Sequence, residues 1–219
     1  MDSLDRSYNS LIKITKLLSI ALYIGIGFSL ISITLSLISN GSTINLNLNP
    51  ESENYLRKPD QNVEEGVFKV YGGLYSLIYL LIALIFLYWF FRSYKNLYSF
   101  TEVQLKFSPL KAVAYCIIPI INLWKPYFIM KEILFTSKVP SDQSNLALSF
   151  DDSTLVKGWW ILFLSSIFFP LIGTSFFSEY ISNLVTNILL ILTSILLLYL
   201  TKEITSRQER RFKNISTNS

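Results

Sequence analysis

The sequence contains no histidine, so it lacks the commonest general base and metal ligand of enzymes. Zinc proteases with the H-E-x-x-H motif are therefore excluded, and a serine nucleophile would have no histidine partner. The single cysteine, Cys116, excludes an internal disulfide and a cluster of thiolate metal ligands, and we interpret it as a small buried hydrophobic residue. We expect a protein that is not an enzyme and that needs no cofactor or metal.

Charge is also scarce, because charged residues make up only 16% of the 219 residues while hydrophobic residues make up 51%. A typical soluble domain has about 25% charged residues. Four uncharged apolar runs are each long enough to cross a bilayer, and none contains an aspartate that could serve a membrane-embedded aspartyl dyad. The runs cover residues 17–39, 70–91, 158–178 and 181–200. The sequence therefore predicts an all-α membrane protein with four transmembrane helices in a single domain, residues 17–200.

Polar segments flank the predicted spans. Residues 1–16 precede the first span, which is too long for a signal-peptide core and is expected to remain uncleaved. An outer loop is predicted at residues 40–66, with a weak strand signal at 43–49, and a basic tail at 201–219. Asp151 and Asp152 lie in another loop and are expected to be solvated. Within the first span, small residues recur every three or four positions, which favours close helix packing: Ala21, Gly25, Ser29, Ser32 and Ser36.

Residues 111–136 form an apolar stretch that is too short to span. Its uninterrupted apolar part covers only residues 112–123, whereas about 20 helical residues are needed to cross a bilayer. Pro119 and Pro126 each remove a backbone donor and disfavour helix at the preceding residue, so breaks are expected near Ile118 and Lys125. We predict a proline-broken helical element, either re-entrant or interfacial, around which the other helices pack.

The sequence around these prolines resembles a family of small four-span bacterial membrane domains that is catalogued only as a domain of unknown function. The resemblance covers roughly residues 70–200, and its most specific part is Asn122-Leu123-Trp124-Lys125-Pro126-Tyr127. Ser108-Pro109 precedes this motif and Gly158-Trp159-Trp160 follows it. The sequence departs from the usual family pattern at Leu110 and Lys111. The resemblance implies a membrane location, and it implies no activity.

The distribution of basic residues predicts the orientation in the membrane. If the broken element stays on one side, sixteen lysines and arginines lie on the side of both termini, and only Arg57, Lys58 and Lys69 lie on the other. The positive-inside rule then places both termini in the cytoplasm of a bacterial cell, with the protein in the cytoplasmic (inner) membrane. All four tryptophans would lie at the same membrane interface, where amphipathic rings are favoured.

These features favour a non-catalytic scaffold or regulatory subunit. We expect it to present a cytoplasmic platform, residues 92–138, to anionic lipid headgroups or to an unknown protein partner or second copy of the chain. No recognition motif for nucleic acid accompanies the basic tail, so nucleic acid is not expected as a partner. A small transporter or pore is the alternative, because broken helices at membrane depth can mark a substrate path. The candidate contact residues are Arg92, Lys95, Asn122, Trp124, Lys125, Tyr127, Lys131, Trp159 and Trp160.

Overall fold

The computed structural model describes residues 2–48, 61–100, 104–138 and 152–218, with side chains described for 10–38, 69–100, 104–138 and 152–215. These residues form helices and contain no strand. The helices are α1 (Asp2–Leu48), α2 (Gln61–Leu97), α3 (Pro109–Ile117), α4 (Lys125–Thr136), α5 (Asp152–Phe176) and α6 (Glu179–Asn218), with a 3-10 turn at Ile121–Leu123. Four of them, α1, α2, α5 and α6, are long and apolar enough to cross a membrane, which confirms the predicted fold class.

The four long helices form an antiparallel bundle in which α1 packs on α2 and α6, and α6 also packs on α5. The hydroxyls of Thr15 and Thr205 lie 2.8 Å apart at one end of the bundle. Asn183 donates to Ser36 at 2.7 Å at the other end. The start of α1 and the end of α6 therefore lie together, and we call this the basic end. It consists of residues 10–22, 82–100, 104–138, 152–163 and 197–215.

The buried hydrophobic core lies at the basic end. Its largest fully buried side chains come from α1, α2, α4 and α6: Trp89, Tyr94, Phe90, Leu11, Leu18, Leu97, Ile129, Met130, Ile133, Leu134, Leu200 and Ile204. In the opposite half, many leucines and isoleucines of the spans remain exposed, as expected for helices that face lipid.

The small-residue stripe of α1 faces its neighbours, as predicted. Gly25 lies against α2, where an added methyl group would be 2.8 Å from the Cδ1 atom of Ile82. Further along the stripe, Ser29 shares a hydrogen bond of 2.7 Å with the Tyr79 hydroxyl. Asn187 of α6 donates to Ser32 at 3.3 Å. Small side chains thus let α1 approach two helices at once.

All four long helices extend beyond the predicted spans at one end or both. Helix α1 continues to Leu48 and α2 begins at Gln61, so only residues 49–60 of the predicted outer loop lie outside the described residues. The strand signal at 43–49 was wrong, since residues 43–48 are helical. One glycine, Gly41, costs a helix about 1 kcal/mol and does not end it, whereas Pro50 disfavours helix at the residue before it. The basic tail predicted at residues 201–219 continues α6, which runs as one helix of 40 residues to Asn218.

The proline-broken element has the form predicted from its sequence. Pro109 opens α3, and the Ser108 hydroxyl accepts a hydrogen bond from the Lys111 N–H at 3.3 Å. Helix α3 ends at Ile117, two residues before Pro119, and α4 begins at Lys125 with Pro126 in its first turn. The two helices have 9 and 12 residues, so each is too short to cross a bilayer. Both lie at the basic end, where α3 packs on α2 and α4 packs on α5.

Candidate functional site

A buried ion-pair network joins α4, α5 and α6 at the basic end. The guanidinium of Arg207 donates two hydrogen bonds of 2.9 Å to the two carboxylate oxygens of Asp152. Lys138 Nζ lies 2.5 Å from the same carboxylate, and Glu203 accepts from Arg207 Nε at 2.6 Å. Asp152 is only 4% exposed, so the prediction that it is solvated was wrong. A carboxylate that is excluded from water needs such partners, and two cations supply them. Asp151 lies outside the described residues.

A second polar cluster lies one turn further along α6. The Gln208 amide donates to the Ser93 carbonyl at 3.1 Å and to the Ser137 hydroxyl at 3.2 Å. It also accepts from Asn96 Nδ2 at 3.3 Å. Arg211 donates to the carbonyls of Thr136 and Lys138, which follow one another closely at the end of α4. The last turns of α6 therefore hold α2 and the end of α4 in place.

Tyr94 and Glu132 position the segment that leads into α3. The Tyr94 hydroxyl donates to Glu132 at 3.0 Å and accepts from the Phe107 N–H at 2.9 Å. The other Glu132 oxygen accepts from the Lys106 N–H at 2.9 Å. Glu132 is thus occupied by backbone and tyrosine donors, and α3 is fixed against α2 and α4.

The outer surface of the broken element combines apolar and cationic side chains. Its large exposed side chains are Leu110, Ile117, Ile118, Ile120, Leu123, Trp124, Phe128 and Phe135. Lys111 is exposed beside them. Lys125 lies with its ammonium 5.5 Å from the centre of the Phe107 ring, and Lys131 lies 5.6 Å from that of Phe135. Such a surface, with lysines among large apolar groups, suits the boundary between lipid headgroups and acyl chains.

The predicted contact residues divide between this surface and the interior. Lys95 and Trp124 are exposed, and Lys125 and Lys131 are half-buried against aromatic rings. Tyr127 packs edge-on against Phe128, with ring centres 5.1 Å apart. Arg92 is half-buried and donates to the Ser10 hydroxyl. The remaining three, Asn122, Trp159 and Trp160, line a pocket behind the broken element.

This pocket encloses about 230 Å³ between α2 and α5. It is lined by Leu22, Tyr79, Ile82, Ala83, Phe86, Leu87, Cys116, Asn122, Pro126, Trp159, Trp160, Phe163, Leu190, Thr193, Ser194 and Leu197. Trp160 donates its indole N–H to the Leu123 carbonyl at 3.0 Å, which ties the broken element to α5. Burial raises the pKa of the Cys116 thiol to about 12, so this cysteine stays protonated at neutral pH.

Sequence reasoning missed the buried partners on α6, and one signal could have revealed them. Its second half contains a set of buried residues that recur every three or four positions and so continue one stripe of the span: Leu197, Thr201, Ile204, Gln208 and Arg211. When a basic segment continues the three- and four-residue spacing of the span before it, the pattern predicts that the helix continues and packs one face against the protein. The partner Asp152 lies 55 residues away along the chain, and spacing alone cannot predict such a pair.

Comparison with known protein families gives one match. The family described as "Domain of unknown function (DUF4328)" matches residues 62–208, which include α2, the broken element, α5 and α6 through Gln208. No curated protein and no solved structure matches the chain.

Proposed function

We propose a role for the protein from its geometry, because the chain belongs to the family described as "Domain of unknown function (DUF4328)" and this description names no activity. The protein is a non-catalytic membrane scaffold or regulatory subunit. Its platform, residues 92–138 at the basic end, faces the cytoplasm and binds anionic lipid headgroups.

The observation that carries this proposal is the outer surface of the broken element. Leu110 in α3 is 75% exposed and Ile120, in the turn that follows α3, is 71% exposed, and the helices of this element are too short to span. Such side chains are unfavourable in water and favourable at the upper part of the acyl region. Lys111, Lys125 and Lys131 lie on the same element, where their ammonium groups can reach phosphates. Each basic residue near an anionic bilayer contributes about 1 kcal/mol of attraction.

The cytoplasmic placement is supported by the distribution of charge. Sixteen of the nineteen basic residues of the sequence belong to segments that the bundle brings to the basic end or to the N-terminal turns before it. Trp89, Trp124, Trp159 and Trp160 lie there too. Basic residues are enriched on the cytoplasmic side of bacterial membrane proteins, and tryptophans at the interfaces.

Lipid retention measured by native mass spectrometry tests the headgroup preference. The protein would be purified with equal amounts of phosphatidylglycerol and phosphatidylcholine of identical chains. We expect wild type to retain phosphatidylglycerol preferentially, and the triple variant Lys95→Gln, Lys111→Gln, Lys131→Gln to lose about tenfold of that preference. The matched control removes the three charges that the sequence predicts on the other side of the membrane: Arg57→Gln, Lys58→Gln and Lys69→Gln.

If both triple variants lost the preference for phosphatidylglycerol equally, the total charge of the protein would determine that preference and the platform would not. An unchanged preference in the platform variant would contradict lipid binding there. If a co-purifying protein were instead lost from that variant alone, the platform would be a docking surface for a partner protein.

A small transporter is a second candidate, because Asn122, Thr193 and Ser194 place polar atoms in the wall of the pocket between the spans. Cysteine access distinguishes the two roles. Ile118→Cys and Ile121→Cys would each be made in a Cys116→Ser background. The scaffold role predicts no reaction with a membrane-impermeant thiol reagent applied from outside. Ready labelling at both positions, together with substrate flux in proteoliposomes, would favour transport.

A further inference from the structure

The broken element folds back on itself as a hairpin, and its first arm, α3, descends along α2. The outer end of this arm is fixed by the Phe107 N–H, which donates to the Tyr94 hydroxyl at 2.9 Å. Near its inner end, Cys116 lines the pocket together with Leu87 and Ala83 of α2. Since α2 runs towards the basic end, α3 packs beside it in the opposite direction, from the level of Tyr94 to that of Leu87.

The second arm, α4, returns along α5, which starts at the basic end and runs away from it. The Leu123 carbonyl accepts a hydrogen bond from Trp160 at 3.0 Å. At the other end of the arm, Lys138 Nζ lies 2.5 Å from Asp152. These two contacts are eight residues apart on α5, so α4 rises by about 12 Å between them. The turn between the arms, residues 117–124, is therefore the innermost part of the element, and we call it the tip.

The tip is apolar and exposed. Its large exposed side chains are Ile117, Ile118, Ile120, Leu123 and Trp124. The sequence has no charged residue from 112 to 124, and Lys111 and Lys125 bound this stretch. Lys125 directs its ammonium to the ring of Phe107, the residue at the outer end of the first arm. The charges of the hairpin thus flank its tip.

The contacts of the hairpin give the depth of its inner end relative to the spans. Trp160, which bonds the tip, is the third residue of the apolar run 158–178. Leu87 and Ala83 lie four and eight residues inside the end of the run 70–91. At about 1.5 Å per residue, the inner end of the hairpin lies roughly 3–12 Å inside the apolar region. Each leaflet supplies half of the roughly 30 Å of hydrocarbon, so the tip stays within one leaflet.

The neighbouring spans expose apolar side chains at the level of the tip. Leu84 and Tyr88 of α2 are 54% and 55% exposed, and Ile161 of α5 is 52% exposed. In helices that cross a bilayer, such exposed apolar residues face acyl chains. The exposed side chains of the tip continue this lipid-facing surface, so the same acyl chains cover both.

We propose that the broken element is re-entrant, and that its tip inserts among the acyl chains of the leaflet at the basic end without reaching the other leaflet. The inference rests on the proposed function, since the tip belongs to the platform, but it concerns acyl chains and not headgroup charge. It therefore applies equally in phosphatidylcholine. An element that lay flat at the interface would bind anionic headgroups just as well, so failure of the insertion and failure of headgroup binding are distinguishable.

Depth measurements with nitroxide labels test the insertion at three exposed positions. Leu110→Cys, Ile120→Cys and Phe135→Cys, each in a Cys116→Ser background, would be labelled and placed in phosphatidylcholine vesicles. The relative access of each label to oxygen and to a water-soluble nickel complex reports its depth. Leu110 and Ile120 are 75% and 71% exposed, so a difference between them does not reflect burial in the protein.

The hairpin predicts a profile that is shallow, deep and shallow again. The label at 120 should lie about 10–15 Å deeper than the label at 110, because the nine residues of α3 separate them. The label at 135 should return towards the level of 110. Equal depth at all three positions would show an element lying flat, and depth that increased steadily from 110 to 135 would show a crossing element. Either result would overturn the proposal.

The fluorescence of Trp124 gives a second measurement at the tip without any label. Trp124 is 44% exposed, whereas Trp89, Trp159 and Trp160 are buried, so the difference between wild type and Trp124→Phe isolates the exposed indole. We expect this difference signal to be quenched by phosphatidylcholine brominated in the upper part of its acyl chains and to resist iodide in the water. Quenching by iodide and not by the brominated lipid would contradict insertion of the tip.

Discussion

The two halves of the bundle are held together by different chemistry. In the half opposite the basic end, the hydrogen bonds between helices join neutral side chains. Asn187 of α6 accepts from Tyr75 of α2 at 3.2 Å and donates to Ser32 of α1 at 3.3 Å. At the basic end, buried charges of α5 and α6 join the helices in addition to neutral hydrogen bonds such as that between Thr15 and Thr205, with Asp152 and Arg207 at the centre.

The difference follows from what surrounds each half. An ionised side chain near the bilayer centre costs about 2.5–3.5 kcal/mol on insertion scales, so the spans use neutral groups. At the basic end, the broken element covers the charged groups of α6, and protein partners replace the water that they lose. Among the side chains that the structure describes, buried charge is confined to the region that the non-spanning element shields.

The largest effect is expected from breaking the ion pair. Asp152→Leu leaves Arg207 and Lys138 without their shared carboxylate in a buried site, which should cost about 3–5 kcal/mol in the free energy of unfolding. Denaturation in detergent micelles would measure the loss. The control is Glu209→Leu, which removes a partly exposed carboxylate that pairs with the exposed Lys213 at 2.9 Å. That change should cost less than about 1 kcal/mol. Equal losses in the two variants would show that the buried pair has no special role.

A smaller loss is expected at Gln208, which is 1% exposed and neutral. Gln208→Leu keeps the apolar part of the side chain but removes its hydrogen bonds with Asn96, Ser93 and Ser137. We expect a cost of about 1–3 kcal/mol. The same denaturation experiment applies, and hydrogen exchange should show faster opening at the end of α4. A neutral result would mean that the end of α4 is held by other contacts.

A substitution in the half opposite the basic end should cost much less stability than Asp152→Leu. Asn187→Leu removes the hydrogen bonds to Ser32 and Tyr75, yet it should cost only about 0.6 kcal/mol and at most about 1.7 kcal/mol, as is found for hydrogen bonds between transmembrane helices. Measuring the free energy of unfolding of both Asn187→Leu and Asp152→Leu compares the two halves directly. A loss at Asn187 as large as that at Asp152 would remove the distinction between them.

The smallest effect is expected at Lys125. Its ammonium lies over the rings of Phe107 and Tyr115, at 5.5 and 5.9 Å from their centres. Lys125→Leu should leave membrane insertion intact and reduce stability by about 0.5–1 kcal/mol, since only a cation–π contact of a half-buried lysine is lost. Loss of the folded protein in detergent would show that the lysine has a buried anionic partner.

How far the sequence predicts this structure depends on the range of each interaction. Apolar runs and prolines act locally, so the four spans and the breaks beside Pro119 and Pro126 follow from the sequence. The pairing of Asp152 with Arg207 depends on how α5 and α6 pack. Without that packing the sequence offers Asp152 no partner, so it predicts a solvated loop. The pocket could not be predicted either, because its wall is formed by several helices that are distant in the sequence.

We propose above that the basic end faces the cytoplasm and binds lipid headgroups there. Cysteine labelling in intact cells tests it with two positions in a Cys116→Ser background: Lys213→Cys, exposed near the end of α6, and Phe177→Cys, exposed in the turn between α5 and α6. A membrane-impermeant thiol reagent added outside should label position 177 and leave position 213 unlabelled until the cells are opened. Labelling of 213 in intact cells, with 177 protected, would contradict the claim.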